Sequence, residues 1–212
     1  MRVPWFLVLV PLLAPPLASQ QRTAERGSSA FQEYQNDNFE EAVRICKAEL
    51  AANPANLESH VVLCRSLVSL RRYEESREYA LAGRNISRYD PRIIEILGEI
   101  YYFQGRNNEA LQYFQQYVNL APQGDRINNV YYYMGEVYIR QSRYRRADIA
   151  LSTAVYYMPR NAEWWSRLAY ARENAGETQA ALSAYEKALS LNSQLADALR
   201  GLERIRADLA GR

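Results

Sequence analysis

Small, aromatic and apolar residues recur along this chain at a fixed separation, with polar residues between them. Five positions within residues 98–122 reappear 37 residues later, and again 34 residues after that. The three sets are Gly98, Tyr101, Ala110, Phe114 and Pro122; Gly135, Tyr138, Ala147, Leu151 and Pro159; and Ala169, Arg172, Ala181, Tyr185 and Ser193. Self-similarity at such a period predicts a solenoid, in which small repeated units pack on their neighbours.

This spacing resembles the tetratricopeptide repeat (TPR), a helix–turn–helix unit of about 34 residues. The resemblance implies an all-α fold, a right-handed α–α superhelix of about five repeats. Numbering each unit from its first residue places the repeats at 23–56, 57–90, 91–127, 128–161 and 162–194. The first repeat is atypical, and the third is longer because of the turn around Gln123, Gly124 and Asp125.

The residue types at the recurring positions fit two closely packed helices. Positions 8 and 20 are mostly Gly or Ala, and such small side chains allow helix axes to approach within about 8–10 Å. After the fifth unit, apolar residues between Leu195 and Leu209 recur at helical spacing with charges between them. We therefore expect a capping helix over residues 195–210 that closes the end of the solenoid.

The N-terminus has the layout of a secretory signal peptide. Arg2 is followed by an apolar run over residues 3–13 and by the small residues Ala18 and Ser19. The run is shorter than the roughly 20 residues that cross a bilayer. We interpret residues 1–19 as a cleaved signal peptide, with an uncleaved membrane anchor as the alternative. We therefore expect the protein to be exported. The periplasm is the first expectation, and the extracellular space and the envelope are the alternatives.

The chain has two cysteines, Cys46 and Cys64, in adjacent units. Both stand at positions that face the interior of the stack. In an oxidising compartment they could form a disulfide if their Cα atoms approach within about 7 Å. The alternative is two buried thiols that act as small apolar side chains.

The sequence favours binding over catalysis. The single histidine, His60, lies at a packing position, and two cysteines on different helical faces do not form a zinc site. No glycine-rich phosphate loop is present. We expect no cofactor, no metal and no enzymatic activity. With 26 basic and 24 acidic residues interleaved, the net charge of +2 argues against nucleic acid as a partner.

The resemblance implies that positions 2, 5, 9, 12 and 13 of each first helix point into a concave groove. From these positions we predict a partner-binding groove of Glu95, Glu99, Tyr102, Phe103, Tyr132, Glu136, Ile139, Arg140 and Tyr170. The same positions of the second unit are Glu58, Val61, Arg65, Val68 and Ser69. The aromatic residues are typical interface anchors, and the three glutamates should cluster and favour a partner that carries Arg or Lys.

These observations predict a non-enzymatic adaptor, scaffold or assembly factor of the bacterial cell envelope that binds a protein or peptide in the groove. Two alternatives remain open. One is a periplasmic protein that captures a small ligand for a solute transporter, which a closed apolar pocket would favour. The other is a structural envelope protein that forms homo-oligomers, which an exposed aromatic patch would favour.

Overall fold

The computed structural model describes residues 29–210, and every regular element in this part of the chain is an α-helix. The first helix, α1, covers residues 29–35. The ten that follow are α2 (Phe39–Ala52), α3 (Leu57–Ser69), α4 (Tyr73–Ile86), α5 (Pro91–Phe103), α6 (Asn107–Leu120), α7 (Ile127–Arg140), α8 (Tyr144–Tyr157), α9 (Ala162–Asn174), α10 (Thr178–Leu191) and α11 (Ala196–Ala210). The prediction of an all-α fold is confirmed.

From α2 onward the helices form two layers. Each odd-numbered helix from α3 to α9 packs closely on the next odd-numbered helix, whereas successive even-numbered helices meet through long side chains. Lys47 on α2 pairs with Glu75 on α4, for example, and Arg84 on α4 donates to the Tyr113 hydroxyl on α6. Each helical pair therefore packs on the next pair, which is the stacking of a TPR solenoid. The odd-numbered helices form the continuous layer that the resemblance assigns to the groove.

The turn inside each helical pair contains one residue with a positive φ. The following residue donates its N–H to the carbonyl five residues earlier, as in a Schellman motif; Arg72, for example, donates to the Leu67 carbonyl over 2.8 Å. The five residues are Asp37 (φ 60°), Arg71 (58°), Gly105 (72°), Ser142 (55°) and Gly176 (84°). The same sharp turn is thus made with glycine twice and with a side chain three times.

Side-chain caps begin three of the odd-numbered helices. Asn56 accepts a hydrogen bond from the Ser59 N–H at the start of α3, and Asn161 accepts one from the Trp164 N–H at the start of α9. Asp90 does the same for α5, with Pro91 at the first helical position. Arg126 precedes α7 and makes no such cap.

Small residues lie where two helices of a pair cross. A Cβ added to Gly98 would lie 2.5 Å from the Phe114 ring, and one added to Gly135 would lie 2.5 Å from Cγ of Leu151. Both distances are below van der Waals contact, so the large residue of one helix occupies the space that glycine leaves on the other. The predicted role of position 8 follows from this geometry.

Helix α11 packs on the last repeat. Its buried residues are Ala198, Gly201, Leu202 and Ile205, and it contacts both α9 and α10. The predicted signal peptide, residues 1–19, lies outside the described residues. Within residues 29–210, no helix combines the length and the apolar character that a bilayer crossing needs.

Cys46 and Cys64 are free thiols, and both are buried. The pKa of each thiol is raised to about 12, chiefly by burial, and the charge of Glu49 contributes to the increase at Cys46. Of the two alternatives, the structure contains the pair of buried thiols.

Candidate functional site

Two glutamates of α5 lie one helical turn apart beneath the surface of the odd-numbered layer. The side chain of Glu95 is 0% exposed and that of Glu99 is 6% exposed. A carboxylate at such depth requires compensating charge and hydrogen bonds. Helix α3 of the preceding repeat and the turn before α7 supply them.

Two arginines bind these carboxylates from opposite sides. Arg65 on α3 donates from Nη2 to Oε2 of Glu95 over 3.0 Å. Arg126 donates from Nε to Oε1 of Glu95 over 3.0 Å and from Nη2 to Glu99. The four side chains form one cluster that joins α3, α5 and the turn before α7.

The irregular turn between α6 and α7 places Arg126 in this cluster. The Arg126 N–H donates to the Tyr117 hydroxyl over 3.2 Å, and the same hydroxyl lies directly against Gly124, where a Cβ would clash with it. The three extra residues of the third repeat thus form a turn that packs on Tyr117. This turn directs the Arg126 side chain toward α5, so Arg126 does not cap α7.

Charge and burial act in opposite directions on these groups. Burial and the charge of Glu95 together raise the pKa of Glu99 to about 8, although the charge of Arg126 opposes them. Burial lowers the pKa of Arg126, but the two carboxylates raise it by more. The guanidinium therefore stays charged, while Glu99 takes up a proton more readily than an exposed glutamate.

A second arginine–glutamate pair lies further along the layer. Arg167 on α9 donates from Nε and Nη2 to the two carboxylate oxygens of Glu136 on α7, over 2.6 and 2.9 Å. Glu136 is 9% exposed. As at Glu95, an arginine of a neighbouring repeat covers a buried carboxylate.

The prediction of an acidic patch at the groove surface is therefore wrong. Glu95 and Glu99 do lie together, but they and Glu136 are buried and bonded to Arg65, Arg126 and Arg167. Sequence positions that face a groove do not distinguish a carboxylate at the surface from one that a longer arginine covers. A partner would therefore meet more guanidinium than carboxylate surface here.

The predicted aromatic residues of this layer differ in exposure. Tyr102 is 8% exposed, and the Arg140 guanidinium lies 4.0 Å from its ring centroid. Tyr132 stacks on Trp164, with ring centroids 4.8 Å apart and planes 9° apart. Phe103 is 43% exposed and stacks on Tyr73. Tyr102 and Tyr132 thus contribute to packing between repeats, whereas Phe103 presents much of its ring to solvent.

The remaining predicted residues lie nearer the C-terminal end. Ile139 is half-buried and packs on the cluster of α8 and α9. Arg140 is exposed and also donates to the Tyr102 carbonyl over 2.9 Å. Tyr170 is half-buried, and Arg167 lies 5.3 Å from its ring centroid.

An open cavity of about 620 Å³ lies between α1, α3, α5 and α7. We call it the α3–α7 cavity. Its lining is Tyr34, Arg65, Val68, Ser69, Arg71, Tyr73, Glu99, Phe103, Arg126, Asn129 and Tyr133. Only Glu99 and Phe103 belong to the groove residues that we predicted as the partner site.

Sequence reasoning missed Arg71, Arg126 and Tyr133 as groove residues. Arg71 and Arg126 stand in turns, whereas the groove positions of the resemblance are all within helices. The lengthened turn was a visible signal for Arg126, since an insertion moves the residues that follow it. For Arg71, nothing in the repeat pattern indicates that its side chain points into the cavity.

His60 is buried and lies between two backbone carbonyls. Its Nδ1 is 3.1 Å from the Tyr79 oxygen, and its Nε2 is 3.1 Å from the Pro54 oxygen. Whichever ring nitrogen carries the proton therefore has a backbone acceptor within the fold. Among residues 29–210, no group of three or more His, Cys, Asp and Glu side chains is arranged to hold a metal ion.

Comparison with known proteins gives matches to repeat families. Models of the tetratricopeptide repeat match residues 91–123 and residues 132–197. A homolog of the BBSome complex member BBS4 from Drosophila melanogaster is 27% identical over 152 residues. That match covers 68% of this chain, and the chain spans 31% of the relative's length.

Solved structures show the same fold at low identity. PilF of Pseudomonas aeruginosa has a TM-score of 0.77 at 16% identity, covering 90% of this chain and 86% of PilF. The MamA protein has a TM-score of 0.67 at 20% identity, covering 82% and 93%. YrrB, described as a TPR protein with an unusual peptide-binding site, has a TM-score of 0.68 at 14% identity, covering 84% and 90%. Residues 91–123 and 132–197 are therefore tetratricopeptide repeats, and the described helices form a solenoid of this kind.

Proposed function

We propose that this chain is a non-enzymatic scaffold that holds a segment of a partner protein in the α3–α7 cavity. The observation that carries the proposal is the lining of that cavity, which combines exposed aromatic surface with fixed arginines. Phe103 is 43% exposed, and Arg65 and Arg126 are held by buried carboxylates. Aromatic and arginine side chains are the residue types that most often anchor interfaces.

The cavity is preorganised for binding. Ion pairs hold two of its arginines, and stacking of Tyr73 on Phe103, 5.2 Å apart, orients an aromatic pair at its edge. A partner therefore orders few side chains of the scaffold when it binds, which lowers the entropic cost of association.

The opening of the cavity favours a peptide over a small molecule. It is a groove lined by residues of four repeats, whereas capture of a small ligand calls for a pocket that encloses most of the ligand's surface. The similarity to YrrB, described as having a peptide-binding site, agrees with this choice. A binding scaffold also agrees with the non-catalytic character typical of tetratricopeptide repeats.

The cellular location in this proposal rests on the N-terminal sequence alone. The basic start and apolar run of residues 2–13 are typical of an export signal. We therefore place the scaffold in the bacterial cell envelope, where it would act as an adaptor or assembly factor.

A site-specific crosslink tests the proposed function. A photo-reactive amino acid replaces Ser69, which is exposed and lines the cavity, and Gln112, exposed on α6, is the matched control. After irradiation of living cells, mass spectrometry identifies the products. We expect a discrete protein adduct at Ser69 that is absent at Gln112. Equal products at both positions would contradict a binding site in the cavity.

A further inference from the structure

We propose that the α3–α7 cavity selects partner segments that carry carboxylate side chains, and thus takes acidic peptides. This inference rests on the proposed function and names the chemistry of the partner at the same site. It is the reverse of the basic partner that the glutamates of the sequence suggested.

The charged side chains that reach the cavity are mostly positive. Three arginines line it, namely Arg65, Arg71 and Arg126, and one carboxylate, that of Glu99. The side chains of Arg65 and Arg126 are 18% and 34% exposed, against 6% for Glu99. A ligand in the cavity therefore approaches guanidinium groups more closely than carboxylate oxygens.

Two arginines of the cavity, Arg65 and Arg71, have hydrogen-bond donors that the fold does not use. A guanidinium has five N–H donors. Arg65 uses one of them, toward Glu95, and Arg71 makes no ion pair and no side-chain hydrogen bond with residues 29–210. Carboxylates accept paired hydrogen bonds from such donors and form the stronger, charge-assisted type.

The net charge of the side chains in and beneath the cavity is positive. Counting Arg65, Arg71 and Arg126 against Glu95 and Glu99 gives one excess positive charge even when both carboxylates are ionised. Because burial raises the pKa of Glu99, protonation of this group increases the excess. A basic segment would be repelled, and an acidic segment attracted, at a site of this sign.

Aromatic residues beside the arginines define the rest of the motif. Tyr34, Tyr73, Phe103 and Tyr133 also line the cavity. An acidic residue that binds Arg71 would place its neighbours on these rings. We therefore expect Asp or Glu next to a large apolar or aromatic residue in the bound segment.

Selection from a random library of displayed 12-residue peptides tests the inference. The purified protein is the target, and recovered peptides are synthesised and measured by fluorescence anisotropy. Two variants locate the site: Ser69→Trp fills the cavity, and Arg71→Glu reverses an exposed charge within it. Arg145→Glu, an exposed position on α8, is the matched control.

We expect recovered peptides to be enriched in Asp and Glu and to lose binding to the Ser69→Trp protein. Arg71→Glu should weaken them about tenfold or more, the size of effect expected for one lost charge pair, and Arg145→Glu less than about twofold. Replacing Asp and Glu of the peptide by Asn and Gln should produce a similar loss.

The outcomes separate this inference from the proposed function. Peptides that are sensitive to Ser69→Trp but show no acidic enrichment, or show enrichment in Arg and Lys, would overturn the inference and leave the scaffold role standing. The absence of any peptide sensitive to Ser69→Trp would overturn both. Displacement of the peptides by a single-stranded 20-nucleotide DNA at equimolar concentration would overturn the assignment to peptides.

Discussion

Arg126, which precedes α7, donates to the buried carboxylate of Glu99 on α5, so the irregular turn that ends the third repeat binds back to the first helix of the same repeat. The regular pattern would place a helix cap at this point, as Asn56 and Asn161 do elsewhere. The extra residues of the turn replace that cap by an ion pair. A departure from the repeat thus creates a part of the candidate site.

The unfolding free energy should depend on pH through the protonation of Glu99. Its pKa is about 8 in the folded protein, against about 4.5 for an ordinary glutamate. Since the folded state binds this proton more tightly, the group stabilises the fold fully below pH 4.5, and that contribution is lost as the pH rises toward 8. Charged groups that face it are Glu95, Arg65 and Arg126.

Glu99→Gln removes this titration. We expect the unfolding free energy of the variant, relative to the natural protein, to rise between pH 5 and pH 8.5 in urea denaturation. Glu186→Gln, at an exposed position of α10, is the control and should show no such trend. A constant difference between Glu99→Gln and the natural protein across this range would contradict the proton uptake.

The turn residue Ser142 should be improved by glycine. Its φ of 55° costs an L-residue about 1–2 kcal/mol, which glycine avoids at the expense of about 0.4–1 kcal/mol from the greater freedom of its unfolded chain. Ser142→Gly should therefore raise the unfolding free energy by about 0.5 kcal/mol. Ser142→Ala keeps the Cβ and is the control. A gain with alanine equal to that with glycine would show that backbone strain is not the cause.

A methyl group at Gly135 should destabilise the fourth repeat. The added Cβ would lie 2.5 Å from Leu151, so Gly135→Ala should cost about 1–3 kcal/mol through overpacking. In the double variant with Leu151→Ala, the methyl occupies part of the vacated space. The cost of the two changes together should then be less than their sum, as measured by denaturation. Simple additivity would contradict the crossing geometry.

The two thiols should be unreactive in the folded protein. Since burial raises the pKa of both Cys46 and Cys64 to about 12, little thiolate forms at pH 8. Iodoacetamide should therefore modify neither cysteine under native conditions, and both after denaturation without reductant. Failure to modify them in denaturant would reveal a disulfide in place of the free thiols.

The fold was predicted well because the same pattern of small and large residues marks a helical pair in several successive units. Gly98 and Gly135, with their partners Phe114 and Leu151, follow from the period and the need for close helix packing. The positive φ at Arg71 and Ser142 was less visible, since glycine marks the equivalent turn only at Gly105 and Gly176.

The candidate site was predicted only in part. The period places Glu95 and Glu99 on one face of α5, and the structure keeps them there. The period does not reveal that the two carboxylates are buried, because their burial depends on which neighbouring side chains are long enough to cover them. Arg65 does so from another repeat and Arg126 from a turn, and both contacts are 30 or so residues distant in sequence. A pattern of local spacing contains no information on such pairs.

A double-mutant cycle between Arg126 and Glu95 tests most directly that arginines cover buried carboxylates in this groove. The unfolding free energies of Arg126→Ala, Glu95→Ala and the double variant give the coupling between the two side chains. The exposed pair of Arg44 and Glu41, with side chains 67% and 44% exposed, is the reference. We predict a coupling of about 2 kcal/mol or more for the buried pair and about 0.5 kcal/mol or less for the reference. Equal couplings would mean that Glu95 is solvated, and would restore the acidic surface that the sequence first suggested.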